Sequence, residues 1–494
     1  MQRTRSTAVA RALGGACRAS SHAAVQRRSM SQALLCVRQQ QQGQHQQHRQ
    51  QLHRSQRAPR VSSVSPGVSS RRHGSSSSSD ASGELRKTTL YDFHVARGAK
   101  MVPFGGFYMP VQYDDLSVSQ SHLFTRAHAS LFDVGHMVQR VFRGPGAARF
   151  LERITPAAVS ALPAYRSTLS AILKEDGSGG IVDDAIISRL GDGTYYVVTN
   201  AGCRDKDNAY LDREVARWNA ELAPRGLEVT EERLDRGLIA LQGPEAAAVL
   251  SPLVLGADED GGALDLRGLL FGQLARARLR LPHKDGAAAR SSPVLISRGG
   301  YTGEDGFEIS VAADEAADVA EALLAAGGPE RARLAGLGAR DSLRLEAGMC
   351  LYGHDIDEAT TPVEAGLAWI VPKERRGADA GYYGAEVIAR QLVPASKGGQ
   401  GVARRRVGLL VQGAPAREGA DIVVRGGGGG GEEKVGVVTS GCPSPSLGKN
   451  IAMGYVKEGL HKVGTEVEVL VRGRPRKAVV AKMPFVPTKY WKGE

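Results

Sequence analysis

Hydrophobic residues recur with two different periods along the chain from about residue 85 onward. Runs rich in Val, Ile and other strand-forming residues predict β-strands over 181–187, 195–199, 238–242 and 307–311. Apolar residues spaced by three and four predict amphipathic helices, one over 206–222 through Leu211, Val215, Trp218 and Leu222, and one through Ala316, Val319, Ala320 and Leu323. This mixture predicts an α+β domain.

After about residue 372 the pattern changes to short strand-like runs separated by Gly and Pro. The runs lie at 407–411, 435–438, 465–471 and 478–480. Short strands with frequent turn residues predict a small β-barrel or sandwich. Six consecutive glycines at 426–431 are expected to form a flexible hairpin insertion, because no strand-to-helix transition surrounds them.

The positive charge of the chain is confined to its first part. The 494 residues carry a net charge of +12, but residues 1–79 contain 13 arginines and no acidic residue, which leaves about −1 for residues 80–494. A nucleic-acid-binding protein is therefore not expected. An Arg-rich, Ser-rich and acid-free segment is typical of an organelle transit peptide. We expect a largely disordered transit peptide over 1–84 that directs the chain to the mitochondrion, with a plastid or an untargeted tail as alternatives.

Several classes of protein are excluded or disfavoured. No stretch approaches the roughly 20 consecutive apolar residues of a membrane-spanning helix, so no membrane association is expected. Five scattered cysteines without a C-x-x-C pair do not form a disulfide scaffold or a cysteine zinc module. The histidines lack ligand-like spacing, so no metal is predicted, and residues 177–182 lack the third glycine of a dinucleotide-binding fingerprint.

Two adjacent carboxylates interrupt the apolar run at 181–187. On a strand, Asp183 and Asp184 point to opposite faces, so one of them faces inward. An inward carboxylate needs a cation, hydrogen-bond donors or a polar ligand cavity, because burying it alone is costly. The alternative is a turn between two short strands.

Two further segments carry candidate side chains. Glu308 follows a glycine-spaced loop and lies opposite the apolar face of its predicted strand, where it either holds a ligand or is an exposed surface residue. Arg340 and Arg344 lie four residues apart on a predicted helix. Asp341 can pair with Arg344, which leaves Arg340 free for an anion or a buried carboxylate unless the face is simply solvated.

In their order and spacing these segments resemble the aminomethyltransferase family, the T-proteins of the glycine cleavage system. The resemblance extends from residue 88 to residue 488, about 400 residues. The blocks that carry it lie at 131–137, 180–184, 198–203, 241–244, 300–308, 340–348 and 439–445.

The resemblance implies a fold and a reaction. It implies two intertwined α/β subdomains around a central folate channel at 85–372 and a C-terminal β-barrel domain at 373–494. The implied enzyme acts in the mitochondrial matrix, and we expect it to be a monomer. It transfers a one-carbon unit from the aminomethyl-lipoyl arm of the H-protein to tetrahydrofolate, its co-substrate, and releases ammonia.

The resemblance also implies the residues of the site. Asp184 corresponds to the carboxylate near the folate nitrogens, where it orients the folate and stabilises positive charge on the transferred carbon. Arg340 corresponds to an active-site arginine that also contacts the folate. The other implied contacts to the folate are Glu308, which holds the pterin edge, and Tyr301, Asn200 and Tyr490.

Two alternatives share the same kind of folate module. A related oxidative demethylase joins it to a flavin-binding half, and the missing dinucleotide fingerprint argues against that half. A noncatalytic folate-binding protein of iron–sulfur assembly has a cysteine within a Lys-Gly-Cys-Tyr segment. The comparable residues here are Arg298, Gly299, Gly300 and Tyr301, without a cysteine.

Overall fold

The structure, a computed structural model, describes residues 84–256, 264–282, 288–425 and 431–493. The transit peptide expected over 1–84 lies outside these residues except for Glu84, and so does the glycine run 426–431 except for Gly431. Among the described residues, no helix has the length and apolar character needed to cross a bilayer.

The first half of the chain alternates strands and helices. Its strands are β1 (Arg86–Lys87), β2 (Ala99–Phe104), β3 (Phe107–Tyr113), β4 (Ala129–Asp133), β5 (Val138–Arg143), β6 (Ser167–Leu173), β7 (Ile181–Gly191), β8 (Thr194–Thr199), β9 (Thr230–Leu234), β10 (Arg236–Gln242) and β11 (Val254–Leu255). Its α-helices are α1 (Tyr91–Ala96), α2 (Val118–Ala127), α3 (Ala147–Ile154), α4 (Arg204–Leu222) and α5 (Ala246–Leu250).

The second half becomes strand-rich toward its end. Its strands are β12 (Leu274–Pro282), β13 (Ala288–Arg290), β14 (Val294–Arg298), β15 (Gly306–Ala312), β16 (Ala332–Leu334), β17 (Arg404–Val411), β18 (Asp421–Arg425), β19 (Glu432–Ser444), β20 (Lys449–Lys457), β21 (Glu466–Val471) and β22 (Arg474–Ala481). Its α-helices are α6 (Ala316–Arg331), α7 (Leu337–Glu346) and α8 (Ala385–Leu392).

Two large sheets share the chain in an interleaved order. The chain enters the eight-stranded sheet with β4, leaves it to build the five-stranded sheet β6-β7-β8-β5-β9, and returns with β10. The eight-stranded sheet has the order β11-β12-β14-β15-β10-β4-β16, with β13 paired to β12. This interleaving confirms the predicted pair of intertwined α/β subdomains.

The last six strands form a closed barrel in the order β17-β20-β19-β18-β21-β22, with β22 paired back to β17. Valines and other aliphatic side chains that point inward fill it, as strand alternation in a small barrel requires. The sequence predicted a small β-barrel or a sandwich, and the structure shows the barrel. The domain boundary at residues 372 and 373 stays a prediction.

A shared apolar layer joins the two sheets to helix α7. Val141, Tyr196 and Val198 of the five-stranded sheet pack in one cluster with Leu238 of β10 and Leu343 of α7. The sheets therefore face each other at this layer, and polar side chains at its edge are brought together from separate parts of the chain.

Candidate active site

Asp183 and Asp184 lie on strand β7, as predicted, and the turn alternative is wrong. Their backbones pair with Ile172 and Ala171 of β6. Their side chains point to opposite faces of the sheet, so Asp183 is fully buried and Asp184 is partly buried.

Asn200, which directly follows β8, holds both carboxylates. Its side-chain amide donates to Asp183 Oδ1 at 2.9 Å and to Asp184 Oδ1 at 2.8 Å, and its backbone N–H donates to Asp183 Oδ2 at 2.8 Å. Burial is the largest cause that raises the pKa of Asp184, to about 7, and the Asn200 hydrogen bond opposes the shift. Asp184 is therefore a carboxylate that titrates near neutral pH.

A second buried carboxylate, Asp207 of α4, lies in hydrogen-bonding contact with Asp183. The polar atoms of Asp183, Asp207 and Cys203 lie within 4.8 Å of one another. Burial raises the pKa of both carboxyls, to about 6 for Asp207, and it also raises the pKa of the Cys203 thiol. The absence of a metal at this group stays a prediction.

Glu308 lies on β15 with its carboxylate on the face opposite the buried Phe307 and Ile309. The side chain is partly buried, and burial raises the pKa of its carboxyl while the nearby Arg340 opposes the shift. Tyr196 of β8 is also close, because Glu308 contributes to the raised pKa of the Tyr196 hydroxyl. Glu308 therefore faces the five-stranded sheet and is not a simple surface residue.

Arg340 projects from α7 toward the same region. Its guanidinium lies over the ring of Tyr301, 4.8 Å from the ring centre. Its Nη1 is buried without a hydrogen-bond partner among the described residues, and burial lowers the pKa of the guanidinium. Tyr301 in turn donates its hydroxyl proton to the carbonyl of Cys350 and lies within electrostatic reach of Asp184.

The other arginine of helix α7, Arg344, pairs with Asp341, as the sequence predicted, and also ties the helix to other elements. Arg344 is only 3% exposed and donates to Asp341 at 2.9 Å, to Asp355 at 2.6 Å and to Ser440 of the barrel at 2.9 Å. The alternative of a solvated charged face is wrong for Arg344. This buried pairing orients the helix, and Arg340 is left without a hydrogen bond or ion pair from its side chain within the described part of the chain.

The loop over 299–305 is held against β10 by Gln242. The Gln242 amide donates to the Gly299 carbonyl at 2.9 Å, and the Thr302 hydroxyl donates to Gln242 Oε1 at 2.9 Å. A β-carbon on Gly300 would lie 1.9 Å from that oxygen, so any other residue would displace the Gln242 amide that holds the loop. Arg298 clamps the loop ends by pairing with Asp305 at 2.5 Å.

Tyr490 contacts a different set of residues from the other predicted site residues. Its ring stacks on Phe271 at 4.1 Å, and burial raises the pKa of its hydroxyl to about 12, with Arg126 and Glu304 nearby. Among the described residues it has no hydrogen bond or ring contact with the other five. The neighbouring Lys489 donates its backbone N–H to the Gly303 carbonyl at 2.8 Å, which ties this segment to the 299–305 loop.

Sequence reasoning missed Asp207, Gln242 and Gln139, which accepts the Tyr196 hydroxyl at 2.8 Å. Of these three residues, only Asp207 could have been found from a local sequence pattern. It precedes Leu211 by four residues and so extends the apolar stripe of α4 with a carboxylate, which marks a buried acid. The roles of the two glutamines depend on contacts between distant strands, which no local pattern indicates.

Two family profiles match the chain. The GCVT N-terminal domain matches residues 90–375, and the glycine cleavage T-protein C-terminal barrel domain matches residues 404–487. The mitochondrial aminomethyltransferase of Pisum sativum is 46% identical over 409 residues, which cover 83% of this chain and 91% of that protein. The mitochondrial aminomethyltransferase of Homo sapiens is 47% identical over 407 residues, 82% and 91% of the two chains.

Among solved structures, the glycine cleavage system aminomethyltransferase T of Bartonella henselae matches with a TM-score of 0.69 at 40% identity. The match covers 83% of this chain and 100% of that chain. Two interleaved α/β halves with a C-terminal barrel, together with these matches, define a transferase that uses tetrahydrofolate. The chain belongs to the aminomethyltransferase family, the T-proteins of the glycine cleavage system.

Family membership confirms that the chain is an enzyme and favours the transferase over the flavin-linked demethylase and the iron–sulfur assembly protein. The mitochondrial relatives agree with the Arg-rich composition of residues 1–79, and the chain is a mitochondrial protein.

Proposed function

We propose that this chain carries out the tetrahydrofolate-dependent step of glycine cleavage in the mitochondrial matrix, as a monomer. Its substrate is the aminomethyl group bound through sulfur to the lipoyl arm of the H-protein. The carbon leaves both its sulfur and its amino nitrogen and becomes bound to two folate nitrogens. The two protons that these nitrogens lose balance those gained by the lipoyl sulfur and by the departing ammonia.

The charged groups left unpaired at the site support folate as the ligand. Glu308 and Arg340 influence each other's pKa, yet the described residues provide neither side chain with an ion pair or hydrogen bond. A carboxylate in such a position can accept two N–H bonds from an aminopyrimidine ring. Partly buried charges require partners. The absence of such partners for Glu308 and Arg340 among the described residues is the observation that carries the proposal.

Asp184 supplies the electrostatic part of catalysis in this proposal. Its carboxylate lies in a region of low dielectric and is held by the amide of Asn200 at 2.8 Å. An oriented negative charge stabilises the positive charge that develops on the carbon while its bonds to sulfur and nitrogen break. Tetrahydrofolate, when bound, supplies the two nitrogens that accept the carbon.

The remaining residues bind and orient in this proposal. Arg340 and Tyr301, stacked at 4.8 Å, form one wall beside Asp184. Tyr490 and Phe271, stacked at 4.1 Å, offer an aromatic surface on the segment tied to the 299–305 loop. We assign Tyr490 to contact with a more distant part of the folate, because its contacts are separate from those of Asp184.

The experiment measures ammonia release from aminomethyl-loaded H-protein by the chain without residues 1–83, with and without tetrahydrofolate. Strong release that depends on tetrahydrofolate is expected. A folded protein that binds tetrahydrofolate but releases no ammonia would refute the transferase and support noncatalytic folate binding. Sedimentation of the same sample tests whether the protein is a monomer.

A further inference from the structure

The contact between Asp183 and Asp207 requires a proton. Both side chains are 0% exposed, and neither oxygen of Asp207 has a hydrogen-bond donor among the described residues. Two ionised carboxylates in hydrogen-bonding contact inside a protein repel each other strongly and lack solvation. One proton between them removes the repulsion and supplies the missing donor, so the two groups titrate as a pair.

The surroundings decide which carboxyl keeps the proton. Arg140 and Lys206 lie close enough to Asp207 to favour its charged form, and the Thr199 hydroxyl faces it. Asp183 instead adjoins Asp184, another carboxylate, so a negative charge on Asp183 is disfavoured. The two hydrogen bonds that Asp183 accepts from Asn200 favour its charged form, but burial and the neighbouring Asp207 outweigh them and raise the pKa of Asp183. A protonated carboxyl can still accept both bonds, since each oxygen keeps a free lone pair.

We propose that Asp183 and Asp207 are a positioning pair that shares one proton, held on Asp183, and keeps the negative charge on Asp207. The inference rests on the proposed function, in which Asp184 acts as a carboxylate. A neutral Asp183 lets Asn200 hold Asp184 without adding a second negative charge beside it. Asp184 then remains the carboxylate that ionises on the pocket side of β7.

Other titratable groups near these carboxyls do not compete for the proton. Burial raises the pKa of each neighbouring hydroxyl and thiol, so all of them stay protonated where Asp184 titrates. These groups are Cys203 and Tyr352 near the pair, and Tyr301 and Cys350 near Asp184. Arg140 and Lys206 are the cations that face the pair.

Two isosteric variants leave the negative charge of the pair on different residues. Asp183→Asn loses one of the two hydrogen bonds from Asn200, because its NH2 group replaces an accepting oxygen, but it supplies an N–H donor toward Asp207. The charge stays on Asp207, so the acidic limb of the kcat/KM profile should keep its midpoint. Asp207→Asn gives Asp183 a donor and moves the charge beside Asp184. Its acidic limb should shift upward by about one pH unit or more, and activity lost at neutral pH should return at higher pH.

Several outcomes overturn the inference. Unchanged midpoints in both variants would show that the pair does not control Asp184. A downward shift in Asp183→Asn with no shift in Asp207→Asn would place the charge on Asp183. Loss of activity in Asp207→Asn that higher pH does not restore would show a merely structural role. Asp176→Asn, a change on the exposed turn before β7, is the matched control and should leave the profile unchanged.

A second readout separates this inference from the proposed function. The infrared carbonyl band of a protonated carboxyl, measured without folate above the Asp184 midpoint, should be present in the wild type and weaker in Asp183→Asn. Identical bands in the wild type and in Asp183→Asn would refute the proposal that Asp183 holds the proton, even if both variants were inactive. Absence of tetrahydrofolate-dependent ammonia release by the wild type would instead overturn the proposed function, while the band still tests the pair.

Discussion

Glu346 connects the end of α7 to both α2 and the barrel, and Glu346→Gln should weaken that connection. The carboxylate is fully buried and accepts from Arg126 at 2.8 Å and from His122 at 3.1 Å, both on α2. On the barrel side it accepts from Ser444 at 2.5 Å and from the backbone N–H and hydroxyl of Ser446 at 3.1 and 2.8 Å.

The size of the effect follows from the protonation of Glu346. Burial opposes ionisation of this carboxyl, but the hydrogen bonds from His122 and Ser444 outweigh it and lower the pKa from 4.5 to about 2. A pKa lowered by this amount corresponds to about 3 kcal/mol of folding free energy. Removing one partner of a buried ion pair costs a similar amount, about 3–5 kcal/mol. We therefore expect Glu346→Gln to lower the free energy of unfolding by about 3 kcal/mol at neutral pH.

The assay is urea unfolding of the two proteins at several pH values. Because the folded-state pKa is depressed, the stability from Glu346 is present above about pH 4.5 and is lost as the pH falls toward 2. The gap between wild type and variant should therefore narrow in acid. The control Glu418→Gln changes an exposed glutamate near the barrel and should cost well under 1 kcal/mol. A gap below about 1 kcal/mol for Glu346→Gln, or one independent of pH, would refute the reasoning.

Three further predictions concern the site. Gly300→Ala places a β-carbon 1.9 Å from Gln242 Oε1 and should lower tetrahydrofolate affinity more than tenfold in calorimetry; an unchanged affinity would show that the loop does not form the site. Glu308→Gln removes a charged acceptor and should weaken tetrahydrofolate affinity about tenfold, which corresponds to the loss of one charged hydrogen bond. An unchanged affinity would show that Glu308 does not hold the pterin edge. In the wild type, kcat/KM should rise with pH through about 7, where Asp184 ionises, and a flat profile between about pH 5 and pH 9 would contradict that assignment.

Much of the fold was predictable because its patterns are local. The run at 181–187 became the first seven residues of β7, and the stripe through Leu211 and Trp218 became part of α4. The predicted runs at 407–411 and 435–438 lie within the longer strands β17 and β19, which begin with three charged residues each that a hydrophobicity pattern does not detect. The interleaving of the two sheets was not derivable from these patterns, since the pairing of β4 with β10 joins residues about a hundred positions apart. The family resemblance supplied it.

The candidate site was predictable in its residue types but not in its contacts. The opposite orientations of Asp183 and Asp184 follow from strand geometry, and the freedom of Arg340 follows from the spacing of Asp341 and Arg344. The partner of Asp183 did not follow, because Asp207 reaches it from a helix that packs across the sheet. Tertiary contacts of this kind decide which buried acid carries charge.

The central claim is that the Asp184 carboxylate stabilises the transferred carbon, and Asp184→Asn tests it most directly. With aminomethyl-loaded H-protein and saturating tetrahydrofolate above neutral pH, kcat for ammonia release should fall by about 10²–10³ while tetrahydrofolate affinity changes little. Asp176→Asn should behave as the wild type. A kcat within a few-fold of the wild type for Asp184→Asn would contradict the account and assign the catalytic charge to another residue.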